Sequence, residues 1–280
     1  MYGDRVVLAD RQNIQEKGAV NMAAIVQAEF YKLKRYHIIG AGAALMLLSV
    51  LLTLFTSMAN DGSVWDFAYL TEQVIKNNMS MVFPVCISLV AGYMIARERT
   101  DDVLKNILTV PISFRRLLIG KLIVCGVLSI FFGVICSLFT IAAEMIVGFP
   151  GFGMPLAFKA FVQITAVNFF LYLAVLPIIV FSSRSAGRFL AGVIVAFVYG
   201  YGGMFAAGNM TLANIYPITA CLGLIGYRSY DSAVEWNTAI CACSLALVLA
   251  VSTLLIMRTH EVESLQEGKR VRNTAPKKGW

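Results

Sequence analysis

Charged residues are scarce in this chain, and long stretches contain none. Asp, Glu, Lys and Arg make up 14% of the 280 residues, whereas 59% of the residues are hydrophobic. A soluble domain has about 25% charged residues and about 45–50% apolar residues. This shortage of charge excludes an ordinary soluble domain and favours a membrane protein.

The motifs of common enzyme chemistry are missing as well. The sequence has no G-x-x-x-x-G-K-[ST] phosphate loop, and no Ser/His/Asp or Cys/His set falls on one side of the predicted membrane. None of the six cysteines has metal-ligand spacing, and all lie in apolar stretches, which is typical of small buried side chains. We therefore expect no catalytic residue, no metal site and no cofactor in this chain, which is not predicted to be an enzyme.

Long apolar runs dominate what is present. Six runs lack Asp, Glu, Lys and Arg, and they cover 38–60, 77–96, 122–143, 160–183, 189–227 and 236–257. A helix that crosses the hydrocarbon layer needs about 20 apolar residues, and each run reaches that length. We predict an all-α polytopic membrane protein with spans at about 38–58, 79–97, 117–147, 157–183, 187–207 and 237–257.

The positions of Lys and Arg predict the orientation of these spans. With six spans and both termini in the cytoplasm, only Lys76, Lys159 and Arg228 of the 23 basic residues lie outside. The net charge of +7 then reflects topology and contact with anionic lipid, not nucleic-acid binding. A seventh span within 189–227 would move the basic C-terminal residues outside, so we predict an external re-entrant hairpin over 210–227 instead.

Composition also divides the chain into three parts. Residues 1–21 have no helical periodicity, and we expect them to form a disordered extension. Residues 22–258 form a single transmembrane domain, and residues 259–280 form a basic cytoplasmic tail.

An amphipathic segment precedes the first span. In 23–37, apolar side chains line one side and basic residues border it, which is typical of a helix lying in the membrane interface. The residues that carry this pattern are Val26, Phe30, Leu33, His37, Lys32, Lys34 and Arg35. Passive anchoring to anionic lipid and a mechanical role both remain open for this helix.

A charged segment, RERTDDVLKNILTVPISFRR (97–116), separates the second and third spans. Thr100 can cap a short helix, and Asp101 and Asp102 suit its positive N-terminal end. Pro111 ends it. One apolar face of this helix consists of Val103, Leu104, Ile107 and Leu108. The pattern predicts a helix of about ten residues along the inner membrane surface.

Several residues within the spans are candidates for function. Gly192, Ala196 and Gly200 form a small-x-x-x-small ridge, suited to packing inside one subunit or to contact with a second subunit or a moving gate. Glu144 is predicted at the outer interface, either as a solvated carboxylate or as a residue that contacts substrate or gates its release. Asn168 suits a hydrogen bond between helices and is a second candidate for substrate contact or gating.

Two of these segments resemble a known family. EFYKLKR (29–35) before the first span and RERTDDVLKNILTVPISFRRLLIGKL (97–122) after the second resemble the permease subunits of type-two ATP-binding-cassette exporters. The family pattern of a charged stretch, a short coupling helix, a proline turn and a basic start of the third span corresponds here to Glu98, 103–108, 108–113 and 116–121. The small size and the lack of a large extracellular domain resemble the permeases of bacitracin-resistance and lantibiotic-immunity transporters.

This resemblance implies a non-catalytic permease domain over 22–258 in a bacterial cell membrane. A separate cytoplasmic ATPase, which holds ATP and Mg²⁺, would dock on the coupling segment, and a second permease subunit, identical or related, would complete the pathway. The residues implied in ATPase coupling are Glu98, Asp101, Asp102, Val103, Leu104, Ile107, Leu108 and Pro111. The cargo would be an amphipathic peptide, an antibiotic or a lipid-like compound.

Two other classes remain as alternatives. A secondary transporter or channel without an ATPase should carry mid-membrane ionisable residues or broken helices at matching places in two halves, and the sequence shows neither. A membrane-embedded enzyme would need a cluster of polar catalytic groups at one membrane face, which is not visible either.

Overall fold

The computed structural model describes residues 22–33, 37–59, 64–100, 114–183 and 189–274, with the backbone alone at 96–100, 114 and 259–274. Most of these residues are helical, and no strand occurs among them. The α-helices are α1 (Met22–Leu33), α2 (Ile38–Ser57), α3 (Phe67–Asn77), α4 (Phe83–Thr100), α5 (Phe114–Val147), α6 (Met154–Ser182), α7 (Phe189–Ala206), α8 (Met210–Ile215), α9 (Pro217–Leu224) and α10 (Thr238–Thr274). A π-helical turn, Asn78–Val82, joins α3 to α4.

Six stretches of these helices are long and apolar enough to cross a membrane. In chain order they are Ile38–Ser57, Phe67–Ile95, Arg115–Val147, Met154–Ser182, Phe189–Ala206 and Thr238–Arg258, called the first to sixth spans below. The second span comprises α3, the π turn and most of α4, and the sixth is the first part of α10. The prediction of an all-α polytopic membrane protein with six spans is confirmed.

The second span begins earlier than its apolar run suggested. Its helix starts at Phe67, not near residue 79, because Asp66 caps it by accepting a hydrogen bond from the Tyr69 amide at 2.7 Å. Glu72 and Lys76 interrupt the apolar run, yet the first turns still bury Phe67 and Leu70 completely. The polar residues therefore lie on one side of a continuous helix and do not mark its end.

The run 189–227 crosses once and then turns back, as predicted. After the fifth span, the Asn209 side chain accepts hydrogen bonds from the amides of Thr211 and Leu212 and so begins α8. Pro217 occupies the start of α9, where its missing N–H costs nothing. Residues 210–224 thus form a hairpin of two short helices before the sixth span, and Ile218 and Cys221 within it are fully buried.

The π turn in the second span has a local cause. Pro84 has no amide hydrogen to donate to the Ser80 carbonyl, so the helix widens and the Phe83 amide bonds instead to Asn78 O, five residues back. The turn lies well inside the span, at the centre of the bundle.

Burial divides the spans into a core and a periphery. Within the most apolar 18-residue stretch of each span, 78% of residues are buried in the second span and 56% in the third and fourth. The share falls to 33% in the first and fifth spans and to 22% in the sixth. The second, third and fourth spans therefore form the core of this chain, and the others present broad apolar surfaces outward.

Candidate functional site

A buried ion pair joins α1 to the core at one end of the bundle. Glu29 Oε2 lies 2.8 Å from Lys121 Nζ of the third span, and the two side chains are only 3% and 4% exposed. The Lys121 ammonium also donates to the Met94 carbonyl of the second span at 3.2 Å. Lys32 binds the other carboxylate oxygen of Glu29 at 2.7 Å. We call the contacts among Glu29, Lys121 and Met94 the inner joint, since they connect three helical elements through one ammonium group.

Helical spacing explains how α1 reaches this position. Ile25, Glu29 and Leu33 recur every four residues and form the buried face of α1. Gly120 leaves room for Ile25, because a Cβ atom at residue 120 would lie 2.7 Å from Ile25 Cγ2. The carboxylate of Glu29 is thus held in a packed apolar surface next to Lys121.

The surroundings of Glu29 act on its pKa in opposite directions. Burial raises the pKa of a carboxyl group, but the positive charges of Lys121 and Lys32 and their hydrogen bonds outweigh it, and the pKa of Glu29 falls below its ordinary value of 4.5. Glu29 is therefore ionised at neutral pH, and the inner joint is a true ion pair.

The inner joint flanks the segment predicted to couple with an ATPase. Met94 precedes the end of α4 at Thr100 by six residues, and Lys121 follows the start of α5 at Phe114 by seven. Glu98 lies in α4, where only the backbone is described. The other predicted coupling residues, Asp101, Asp102, Val103, Leu104, Ile107, Leu108 and Pro111, lie outside the described residues, as do Lys34 and Arg35 of the interfacial segment.

The interfacial helix itself turns a different face to the core from the one its apolar pattern indicated. The pattern grouped Val26 and Phe30 with Leu33, but only Leu33 is buried, at 2%, whereas Phe30 is 36% exposed. The apolar pattern did not include Glu29, and its partner, Lys121, is 92 positions away. The one available signal was a pair of opposite charges at the membrane edge in a charge-poor chain.

The small-residue ridge of the fifth span packs within this chain. A Cβ atom on Gly192 would lie 2.5 Å from Ser182 Cβ of the fourth span, and Ala196 is fully buried. A Cβ atom on Gly200 would lie 2.8 Å from Ser80 O, in the π turn of the second span. Of the uses that the sequence left open, these contacts favour packing inside one subunit.

We expect Gly200→Ala to destabilise the folded chain by about 1–3 kcal/mol, because the added methyl group meets backbone oxygen and the Pro84 ring, which have little room to move. The matched control is Gly40→Ala in the first span, where a Cβ atom would meet nothing within 4 Å. That change should be neutral or stabilising by up to about 1 kcal/mol. Thermal unfolding of the two variants in detergent measures the difference, and equal unfolding temperatures would contradict the close approach at Gly200.

Two amides meet in the buried interior. Asn78 Nδ2, in the π turn, donates to Asn168 Oδ1 of the fourth span at 3.4 Å and to Cys136 Sγ of the third at 3.3 Å. Both asparagines are fully buried, and Asn78 Oδ1 and Asn168 Nδ2 have no hydrogen-bond partner among the described residues. Asn168 thus bonds across helices, and Asn78 ties the π turn to two neighbouring spans.

At the opposite end of the third span, Glu144 is buried and not solvated. Its side chain accepts a hydrogen bond from the Phe149 amide, but the residue is only 2% exposed and its Oε2 has no partner among the described residues. The Trp65 ring packs 6.0 Å from that of Phe149. The Glu144 carboxylate is therefore held next to the segment that follows the third span, where Phe149 packs against Trp65.

The segment that follows the hairpin, residues 225–230, binds the core through contacts that the sequence did not indicate. Arg228 Nε lies 3.5 Å from the Glu72 carboxylate, and the Tyr230 hydroxyl donates to the same carboxylate. The Gln163 amide donates to Ile225 O at 3.0 Å. Hydrogen bonding to Glu72, together with burial, raises the pKa of Tyr230, so its hydroxyl remains a donor at neutral pH. These contacts connect the segment after the hairpin to Glu72 of the second span and Gln163 of the fourth span.

A family comparison agrees with this architecture. The model of the family described as "ABC-2 family transporter protein" matches residues 25–203, from α1 through most of the fifth span and over more than half of the chain. The chain belongs to the ABC-2 transporter family. No curated protein matches it. The residues of the inner joint, Gly200 and the predicted coupling segment all lie within the part of this ABC-2 chain that the family model covers.

Membership in this family confirms the general interpretation of the chain as a permease subunit of an ATP-binding-cassette exporter. ABC-2 permeases are membrane subunits, typically non-catalytic, of ATP-binding-cassette exporters, and the family implies an ATPase partner in general. In the part of the ABC-2 chain that the structure describes, no three His, Cys, Asp or Glu side chains lie together as a metal site would require.

Proposed function

We propose that this chain is the permease subunit of an exporter that moves an amphipathic peptide, antibiotic or lipid-like substrate out of the membrane. ATP and Mg²⁺ would be held by a separate cytoplasmic ATPase, and this chain would hold no cofactor. The observation that carries the proposal is the inner joint, because it ties both ends of the coupling segment to the interfacial helix.

The inner joint suggests how movement would pass through the chain. Docking and release of the ATPase would act on residues 101–109, which connect the second and third spans. Lys121 would pass this motion to α1 and to the second span together, since it binds both Glu29 and the Met94 carbonyl. The third span is one helix of 34 residues, about 50 Å long, and it would carry the motion to Glu144 at its far end.

The sparsely buried spans would serve the second permease subunit and the lipid. Only 33% of the apolar stretch of the first and of the fifth span is buried by this chain. The fifth span exposes several large apolar side chains: Leu190, Ile194, Val195, Val198 and Phe205. We infer that a second permease, identical or related, covers part of this surface in a bacterial plasma membrane, with both termini cytoplasmic.

The narrower assignment is to transporters of the bacitracin-resistance or lantibiotic-immunity type. The segments between successive described spans are short, and the longest lies between the fifth and sixth spans and contains the helical hairpin. Since no large domain lies between the described spans, substrate recognition would depend on the spans and on this hairpin. Genes for a peptide precursor beside this one would favour self-protection, and a sensor-kinase pair would favour drug-induced resistance.

Purification of the full chain from its native membrane, with the proteins that it binds, tests the proposal. We expect a stoichiometric partner with a phosphate loop, and we expect this chain to change the ATP hydrolysis rate of that partner when the two are reconstituted in vesicles. Transport by the chain alone, driven by an ion gradient and indifferent to ATP, would support the secondary-transporter alternative.

A further inference from the structure

The π turn divides the second span into two halves with separate attachments. In the first half, α3, the Glu72 carboxylate binds Arg228 and Tyr230 of the segment after the hairpin. In the second half, α4, the Met94 carbonyl accepts a hydrogen bond from Lys121 at the inner joint. Each half is thus bound at a different end of the bundle, and residues 78–82 join the two halves.

The backbone ladder of hydrogen bonds is interrupted at this turn. In a regular α-helix, the Met79 carbonyl would accept a hydrogen bond from the Phe83 amide. That amide bonds to Asn78 O instead. The Ser80 carbonyl would accept from residue 84, but Pro84 has no N–H to donate. Two successive carbonyl groups therefore lack the donors that would keep the two halves in line, and helices bend most sharply at such positions.

The fifth span touches these two carbonyl groups through a glycine. A Cβ atom on Gly200 would lie 2.8 Å from Ser80 O and 3.2 Å from Met79 O. Only backbone atoms of residue 200 therefore approach the turn, and weak Cα–H···O contacts are the attraction that they offer. Because no side chain interlocks with the turn at this residue, a change of angle there breaks no strong contact with the fifth span.

The side chains at the turn leave one hydrogen-bond donor and one acceptor free. Asn78 Nδ2 donates to Cys136 Sγ, a weak acceptor, and to Asn168 Oδ1 at 3.4 Å, beyond the usual range of about 2.7–3.2 Å. Asn78 Oδ1 and Asn168 Nδ2 have no partner among the described residues, although both asparagines are fully buried. Since buried polar groups are usually paired, a small shift of the turn that brings the two amides edge to edge would add a hydrogen bond.

We propose that the π turn is a hinge at which the two halves of the second span change their angle during the transport cycle. The inference rests on the proposed function, since the movement that it uses is the one passed on by Lys121. The second half follows Lys121 through the Met94 carbonyl, while the first half stays bound through Glu72. Asn78 and Asn168 stabilise the shifted arrangement by pairing their free amide groups, so the hinge has two preferred angles.

Hydrogen exchange of the full chain in nanodiscs, without an ATPase, tests the hinge itself. We expect the backbone amides of 78–87 to exchange roughly tenfold faster than those of 128–137, because a helix opens most easily where its hydrogen bonds are absent. Residues 128–137 lie within an unbroken helix of the third span and are less buried by the chain, so burial alone predicts the opposite order. Equal protection of the two stretches would overturn the proposal.

Pro84→Ala restores the missing donor and should slow the exchange of 78–87 to about the level of 128–137. The matched control is Pro177→Ala, which restores a donor inside the fourth span and should leave the exchange of 78–87 unchanged. If Pro84→Ala fails to fold, the comparison of the two stretches in the wild-type chain still decides whether the turn opens.

The use of the hinge in transport is measured with the ATPase bound. We expect the exchange of 78–87 to differ between ADP-bound and ATP-trapped complexes. Pro84→Ala should transport about fivefold less substrate per ATP hydrolysed, whereas Pro177→Ala should remain coupled and both should bind the ATPase normally. Normal coupling in a Pro84→Ala chain with slowed exchange would overturn the proposal. If no ATPase partner exists, the proposed function fails, but faster exchange of 78–87 still supports a hinge in the second span.

Discussion

Lys121→Met is expected to destabilise the folded permease by about 3 kcal/mol and to abolish ATP-driven transport. The change keeps the length of the side chain but leaves the Glu29 carboxylate in a buried position without its main partner. Breaking a buried ion pair from one side costs about 3–5 kcal/mol. Lys32, 2.7 Å from the same carboxylate, offsets part of this loss, so the lower end of that range applies.

Thermal unfolding in detergent and transport in vesicles check this expectation. The control is Lys159→Met, because Lys159 is an exposed lysine of the fourth span and its loss should change stability by less than about 0.5 kcal/mol. Unfolding of Lys121→Met at the wild-type temperature would contradict the buried ion pair.

A double variant separates the effect of the ion pair on stability from its effect on the transfer of movement through the chain. Glu29→Met with Lys121→Met replaces the pair by apolar side chains of similar size, which is often neutral or stabilising in a buried site. We expect stability to return, while coupling between ATP hydrolysis and transport stays impaired because the Lys121 contact with the Met94 carbonyl is also lost. Full recovery of transport would mean that the inner joint only holds α1 in place.

Leu104→Asp with Ile107→Asp is expected to abolish recovery of the ATPase with the permease while the permease remains inserted in the membrane. Both positions belong to the apolar face that the sequence predicts for the segment between α4 and α5. A carboxylate buried without a partner in a protein interface costs several kcal/mol, so two of them should weaken the complex by several orders of magnitude.

The matched control places the same charges on the other side of the predicted helix. Asn106→Asp with Thr109→Asp also adds two negative charges, at positions that face away from the apolar stripe. Pull-down of the ATPase at equal expression measures the outcome. Equal loss in the two double variants would point to a general effect of charge. Full retention in Leu104→Asp with Ile107→Asp would place the docking surface elsewhere, with family membership unaffected.

The spans could be predicted from the sequence because length and apolarity decide them locally. The hairpin could also be predicted, since Asn is favoured as a helix cap and Pro as a first helical residue, and Asn209 and Pro217 take these positions here. The early start of the second span at Phe67 could not be predicted from the sequence. Glu72 lies near the beginning of that helix, and its partner Arg228 is supplied by a distant part of the chain. A charge that breaks an apolar run can thus remain within a span when tertiary contacts satisfy it.

The candidate site was less predictable, for the same physical reason. Helical periodicity gave no reason to bury Glu29, and only the packed structure shows the ammonium group that pairs with it. Glu144 was expected at the outer interface on length alone, and its burial and its hydrogen bond from the Phe149 amide depend on how the following segment folds back. Side-chain partners far apart in sequence leave no local pattern.

The π turn also sets the rotational phase of the second span. A π turn contains one residue more than a regular helical turn, and one residue corresponds to about 100° of rotation. Every side chain and carbonyl from Phe83 to Ile95 is therefore turned by that angle relative to an unbroken helix, and the Met94 carbonyl points at Lys121 because of it. Deleting a single residue between Asn78 and Val82 would swing the far half of this helix away from its partner without altering any group at the ion pair itself.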